Sequence, residues 1–160
     1  ALEYTIDELM PEIIKKTEKF TLYIVGKGTE LFNEKIKYFS HKHLVRIQGF
    51  KEDINDVFKN MDIALFPVLY GGGIKTKIID SMAAGVPVVT TPQGIFGLDS
   101  LPKDCIGVGD SEKELINEIL LLMSSLAIRR ERSERCKEYI NNIYSYSSFY
   151  KKVLKYYTKL

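Results

Sequence analysis

Residues 66–90 read Phe66-Pro67-Val68-Leu69-Tyr70-Gly71-Gly72-Gly73-Ile74-Lys75-Thr76-Lys77-Ile78-Ile79-Asp80-Ser81-Met82-Ala83-Ala84-Gly85-Val86-Pro87-Val88-Val89-Thr90. The preceding Ile63-Ala64-Leu65-Phe66 has the length and apolar character of a buried strand, which Pro67 stops. Three glycines follow. Lys75 to Ala84 then carries apolar residues at helical spacing and ends on Gly85, a usual helix stop. Val86-Pro87-Val88-Val89-Thr90 is again a strand, with proline at its start, where it is tolerated. Strand, glycine-rich loop, helix and strand make one βαβ unit.

The same alternation extends both ways. Upstream, Thr21-Leu22-Tyr23-Ile24-Val25 is a strand ending in Gly26-Lys27-Gly28, and a helix follows over about residues 29–40. Leu44-Val45-Arg46-Ile47 is a second strand, stopped by Gly49, and Glu52 to Asn60 suits a short helix. At the start, Thr5-Ile6-Asp7-Glu8 resembles a capping box ahead of Leu9, Ile13 and Ile14, with Pro11 kinking or delaying the helix. Downstream, Cys105 to Val108 is a fifth strand, and Ser111-Glu112-Lys113-Glu114 caps a long helix. Helical pattern continues to the end. From about Ser145 it reads as a separate helix, with Phe149, Val153, Leu154 and Tyr157 on its apolar side. The expected class is α/β, a Rossmann-like doubly wound parallel sheet with C-terminal helices, in a single domain over residues 1–160.

Composition narrows the function classes. A net charge of +2, with basic residues interleaved among acidic ones, argues against nucleic acid as a partner. Lys or Asp interrupts every apolar run before membrane-spanning length. Cys105 and Cys136 lack CxxC spacing and read as reduced thiols of a cytosolic protein. His41-Lys42-His43 has no carboxylate or cysteine support and reads as surface loop, so no metal site is expected. Ala1 opens the chain inside a helical pattern, without initiator Met or signal peptide, as an excised fragment would.

In a doubly wound sheet, ligands bind at the carboxyl ends of the strands. Three loops lie there: Gly26-Lys27-Gly28, Gly49-Phe50-Lys51, and Tyr70 to Lys77. The last joins a buried strand to a helix N-terminus. Its glycines let the backbone approach a ligand closely, the first helical N–H groups attract an anion, and Lys75 and Lys77 add charge. A phosphate or diphosphate suits it. Ile74 precedes Lys75-Thr76, where a P-loop requires glycine, so that motif is excluded.

Asp80-Ser81-Met82-Ala83-Ala84-Gly85-Val86-Pro87-Val88-Val89 resembles the signature of glycosyltransferase family 4, an acid followed by Ala-Met-Ala-x-Gly-x-Pro-Val-Val. The resemblance extends to Ile24-Val25-Gly26-Lys27-Gly28, to Val45-Arg46-Ile47-Gln48-Gly49-Phe50 and to Met61-Asp62-Ile63-Ala64-Leu65-Phe66-Pro67, covering about residues 5–100 in order. It implies the nucleotide-sugar-binding C-terminal half of a GT-B enzyme, lacking its first strand and the N-terminal acceptor domain. By position, Asp80 binds the ribose hydroxyls. Gly72, Gly73, Ile74, Lys75 and Thr76 hold the diphosphate and part of the sugar. The loops at Gly26 and Gly28 and at Gly49, Phe50 and Lys51 lie on the base side.

Two departures stand out. Asp80 is shorter than the family's usual Glu, and no acid lies between Asp62 and Asp80, where the family places the first of its pair near the donor sugar. Lys75 is therefore assigned part of the leaving-group stabilisation, as the catalytic residue of this half. The implied activity is retaining transfer of a hexosyl group, without cofactor or metal, to a glycan or lipid-linked acceptor in bacterial cell-surface polysaccharide biosynthesis. The implied location is cytoplasmic, with peripheral membrane association through the missing domain. A sugar-nucleotide epimerase of the same fold and a non-catalytic binding module are the alternatives. In the family, a strand preceding this chain's start lies between Leu22–Val25 and Ile63–Phe66. An empty slot strands backbone groups at about 1–3 kcal/mol each, so these strands are expected to pair directly, or another chain to lend a segment.

Overall fold

The computed structural model of the chain describes residues 1–98, 100–148, 150 and 154. Every strand pairing among them is parallel. β1 (Leu22–Val25) pairs with β2 (Val45–Gly49), while β3 (Ala64–Phe66), β4 (Val88–Thr90) and β5 (Gly107–Val108) form a second sheet in that order. The helices opening the chain are α1 (Leu2–Tyr4) and α2 (Met10–Ile14), joined by a π-helical turn, Thr5–Leu9. A 3-10 turn, Thr29–Phe32, and α3 (Asn33–Tyr38) link β1 to β2. Then come α4 (Ile54–Phe58), α5 (Thr76–Ala83), α6 (Glu112–Ser124) and α7 (Leu126–Ile143). The α/β class and the parallel arrangement are those expected; β1, β3, β4 and β5 are shorter than their apolar runs, whereas β2 starts one residue late and runs through Gly49, which was expected to stop it.

β4 shows why the fold is doubly wound. Successive side chains of a strand point to opposite faces. Val88 packs with Ile78 and Met82 of α5 and with Cys136, Tyr139 and Ile140 of α7. Its neighbour Val89 packs with Leu115, Ile119 and Leu122 of α6 and with Leu9 and Ile13. Both valines are fully buried, which requires the uninterrupted apolar run seen in the sequence. Ile6 and Met10 meanwhile face Ile24 and Val45 in a third cluster, so the N-terminal helix spans both sheets.

Two local expectations are corrected, and the one at Pro11 takes a definite form. Thr5 is no helix cap: the helix starts at Leu2, and the Thr5 hydroxyl donates to the Ala1 carbonyl at 3.1 Å. Pro11 has no N–H to donate, and the turn before it widens to π spacing instead of breaking. The long helix from Ser111 is two helices. Ser111 and Glu114 form the expected capping box, but Ser125 ends α6 and caps α7, accepting from the Ile128 N–H at 3.3 Å. α7 stops at Ile143 and helix resumes at Tyr146–Ser148, beside a Ser145 hydroxyl that accepts from the Ser148 N–H. Phe149, Val153 and Tyr157 lie outside the described residues.

The ladder expected between Leu22–Val25 and Ile63–Phe66 does not form. An open cleft of about 1020 Å³ separates β1 from β3, lined by Phe20, Leu22, Tyr23, Ile63, Leu65 and Leu120 among others. Ile13 of α2 and Ile119 of α6 also line it, and both belong to the core cluster around Val89. The cost that argued against an empty slot applies to groups sealed from water. Here the cleft is open and Tyr23 is 40% exposed, so water reaches the free strand edges.

The cysteines, distant in sequence, meet in space. Their sulfurs lie 3.0 Å apart in the core, both thiols free, and the Cys136 thiol donates to the Cys105 carbonyl. The thiol–thiol contact, with burial, pushes the Cys136 thiol far above its usual range, and the same contact lowers Cys105.

Candidate functional site

The loop leaving β3 is shaped by its own lysine. Gly71 and Gly73 have φ of +111° and +74°, values that side-chain-bearing residues rarely adopt. The Lys75 ammonium folds back beneath them and donates to the carbonyls of Gly71, Gly72 and Gly73 at 3.1, 3.0 and 2.8 Å. Across a trans peptide the C=O of one residue and the N–H of the next point in opposite directions. Gathering three carbonyls on one cation therefore turns the N–H groups of Gly72, Gly73 and Ile74 to the other side. Among the described residues these three N–H groups have no hydrogen-bond partner. They run directly into the N-terminus of α5, whose first N–H groups lack acceptors by construction. A row of unpaired N–H donors at the positive end of a helix is an anion nest.

Asp80 lies one turn into α5 and is exposed, as are Thr76 and Lys77, whereas Ile78, Ser81 and Met82 are buried on the opposite side. The carboxylate is thus free to accept from a ligand bound at the helix start. On the β1 and β2 side, Gly26, Gly28 and Gly49 all have positive φ, at +146°, +80° and +68°. The Gly26 N–H donates to the Gly49 carbonyl at 2.8 Å, joining the two loops. Phe50 beyond it is 65% exposed, and Lys51 is exposed too. The site residues read from the sequence thus fall into two groups, Gly26/Gly28/Gly49/Phe50/Lys51 and Gly72–Thr76/Asp80. Among the described residues no hydrogen bond links one to the other. No group of three or more His, Cys, Asp or Glu able to hold a metal occurs among the described residues, and none of their helices is long and apolar enough to cross a membrane.

Sequence reasoning missed the loop after β4. Thr90 donates its hydroxyl to the Phe66 carbonyl at 2.6 Å, Thr91 donates to the Val68 carbonyl, and Gln93 donates to the Gly71 carbonyl at 2.6 Å. Gly97, with φ +83°, packs against Ile74, whose Cγ1 lies 3.0 Å from where a Cβ would stand. The available signal was a Thr-Thr-Pro-Gln-Gly run leaving a strand at the same sheet edge as the glycine loop.

The profile of the glycosyl transferases group 1 matches residues 1–125. The chain belongs to that family. No curated protein matches by sequence, but solved structures do by fold. HepE of Anabaena, in complex with UDP, is similar over 100% of this chain and 46% of its own, at 15% identity and TM-score 0.79. TarM of S. aureus, a mutant in complex with UDP among other ligands, is similar over 96% of this chain and 32% of its own, at 17% identity and TM-score 0.81. The C-terminal domain of the group 1 glycosyl transferase LpcC from Francisella tularensis is similar over 90% of this chain and 80% of its own, at 16% identity and TM-score 0.70. The chain thus spans less than half of HepE and TarM and most of an isolated C-terminal domain. These likenesses fix the fold as that of a GT-B glycosyltransferase domain.

Proposed function

We propose that this group 1 glycosyltransferase chain is the C-terminal domain that binds a nucleotide diphosphate sugar. The full-length enzyme then transfers the sugar, with retention and without a metal, to a glycan or lipid-linked acceptor. The carrying observation is the row of unpaired N–H groups at Gly72, Gly73 and Ile74, continuous with the α5 N-terminus and with Asp80 one turn beyond. The nest takes the diphosphate, Asp80 takes the ribose hydroxyls, and the joined loops at Gly26 and Gly49 border the base. UDP bound to HepE and TarM supports a nucleotide of this kind.

During transfer the bond between the anomeric carbon and the β-phosphate oxygen breaks, and the nucleoside diphosphate leaves with growing negative charge. Preorganised N–H dipoles aimed at that charge stabilise it without reorganising. Lys75 serves twice in this reading: its carbonyl contacts hold the N–H groups outward, and its cation lies behind them. The acceptor site belongs to the rest of the protein.

Titration calorimetry with UDP, GDP and ADP tests the reading. One base is preferred, and Asp80→Ala weakens its diphosphate by about tenfold or more, the loss of a hydrogen bond to a charged partner worth ~1.5–3 kcal/mol. An Asp80→Ala chain that binds as tightly as the parent removes Asp80 from the site.

A further inference from the structure

We infer that the loop following β4 is a second wall of the donor site, and that Thr91 and Gln93 are positioning residues for the diphosphate-binding turn. This rests on the donor-binding reading above, which gives neither residue a role.

The turn is costly to hold. Three adjacent glycines lose more conformational freedom on ordering than any other residues. Leu69 and Tyr70 just before them are exposed, Tyr70 by 82%, so apolar packing does not fix this stretch. Instead the β4 loop grips it at intervals. Thr90 holds the Phe66 carbonyl where β3 ends, Thr91 the Val68 carbonyl two residues on, and Gln93 the Gly71 carbonyl at the turn. Gly97 then backs Ile74 at the far end. The donors and their acceptors advance together along two chain segments that lie side by side.

Gln93 sits where leverage is greatest. The Gly71 carbonyl accepts from the Gln93 amide at 2.6 Å and from the Lys75 ammonium at 3.1 Å, which uses both of its lone pairs. The peptide is planar, so fixing that oxygen fixes the direction of the Gly72 N–H, the first donor of the nest. A side chain 22 residues away in sequence thereby aims an amide at the diphosphate. Thr91 acts one step earlier. It is buried, and its hydroxyl sets the height at which the loop leaves the sheet.

Calorimetry on the chain tests this, with the preferred nucleoside diphosphate and the matching monophosphate as probes. Gln93 is only half-buried and its truncation opens no core cavity, so Gln93→Ala lowers the urea midpoint by no more than the loss of one hydrogen bond does. It lowers diphosphate affinity by about three- to tenfold, the range of one lost hydrogen bond, and lowers monophosphate affinity less. Thr91 supplies a second arm. Thr91→Ser keeps the hydroxyl and loses the methyl, whereas Thr91→Val keeps the shape and loses the hydroxyl. Positioning through the hydrogen bond requires Ser to bind like the parent and Val to bind weakly, and a packing role requires the reverse order. Gln93→Ala binding the diphosphate like the parent, or a Thr91 pair in the reverse order, overturns the inference. A parent that binds none of the three diphosphates ends the donor reading and this inference with it, and shows itself before any substitution is made.

Discussion

Gly94→Ala examines the packing on which the site is built. Gly94 faces Thr90, the last residue of β4, which is fully buried and donates its hydroxyl to the Phe66 carbonyl at 2.6 Å. A Cβ at Gly94 overlaps Thr90 Oγ1 outright and lies 3.0 Å from Thr90 Cβ and 3.1 Å from Cγ2. Two responses are open. Thr90 turns away, losing a hydrogen bond worth about 0.5–1.5 kcal/mol and leaving its rotamer at a further ~0.5–1.5 kcal/mol. Otherwise the loop shifts, and overpacking of this kind costs about 1–3 kcal/mol. Either route, with some of the other mixed in, gives a loss of about 2–4 kcal/mol. A chain of this size loses roughly 2–4 °C of Tm per kcal/mol, so the transition falls by about 5–15 °C. Urea unfolding followed by circular dichroism measures it. Thr90→Ala relieves most of the overlap, so the double variant is more stable than the sum of the single losses requires. A Gly94→Ala chain within about 0.5 kcal/mol of the parent refutes the reasoning, because surface-like tolerance is incompatible with that contact.

Gly109→Ala is a harsher case, since its Cβ meets backbone: Leu115 N at 2.5 Å and Leu115 Cα at 2.9 Å. The first turn of α6 cannot rotate away as a side chain does, and denaturation should register a loss of about 3 kcal/mol or more, with a near-neutral result counting against the α6 placement. In the transferase proposed above, Lys75→Ala lowers kcat more than it raises KM, because leaving-group charge grows toward the transition state. A rise in KM alone makes Lys75 a uniform binder. Hydrogen exchange should show β1 and β3 amides that face the cleft exchanging about a hundredfold faster than those of β4, which is paired on both sides. Equal protection means that the cleft closes in solution.

Much of the fold was legible because the signals were redundant. Val86 to Thr90 is apolar, follows a helix stop at Gly85 and precedes a turn, and the structure buries Val88, Val89 and Thr90 completely. The capping box at Ser111 was read correctly for the same reason, with Ser and Glu both at the required spacing. The break at Ser125 was missed because Leu126 resumes the helical pattern at once, and a serine gives the same local signal inside a helix as at its cap. The missing ladder between β1 and β3 was not foreseen, because unpaired edges were counted as if sealed from water. The glycine loop was found from its composition, but its wall was not. Thr90, Thr91 and Gln93 act by reaching carbonyls 22–24 residues upstream, and no local pattern records which backbone a side chain will meet.

The central claim is that the N–H groups of Gly72, Gly73 and Ile74 bind the diphosphate of a nucleotide. An ¹⁵N-labelled chain titrated with the preferred nucleoside diphosphate reports on them directly. The account predicts that these three amides, with those of Thr76 and Lys77, move furthest and saturate together, and that the parent nucleoside leaves them in place. A diphosphate that binds while these amides stay fixed contradicts it.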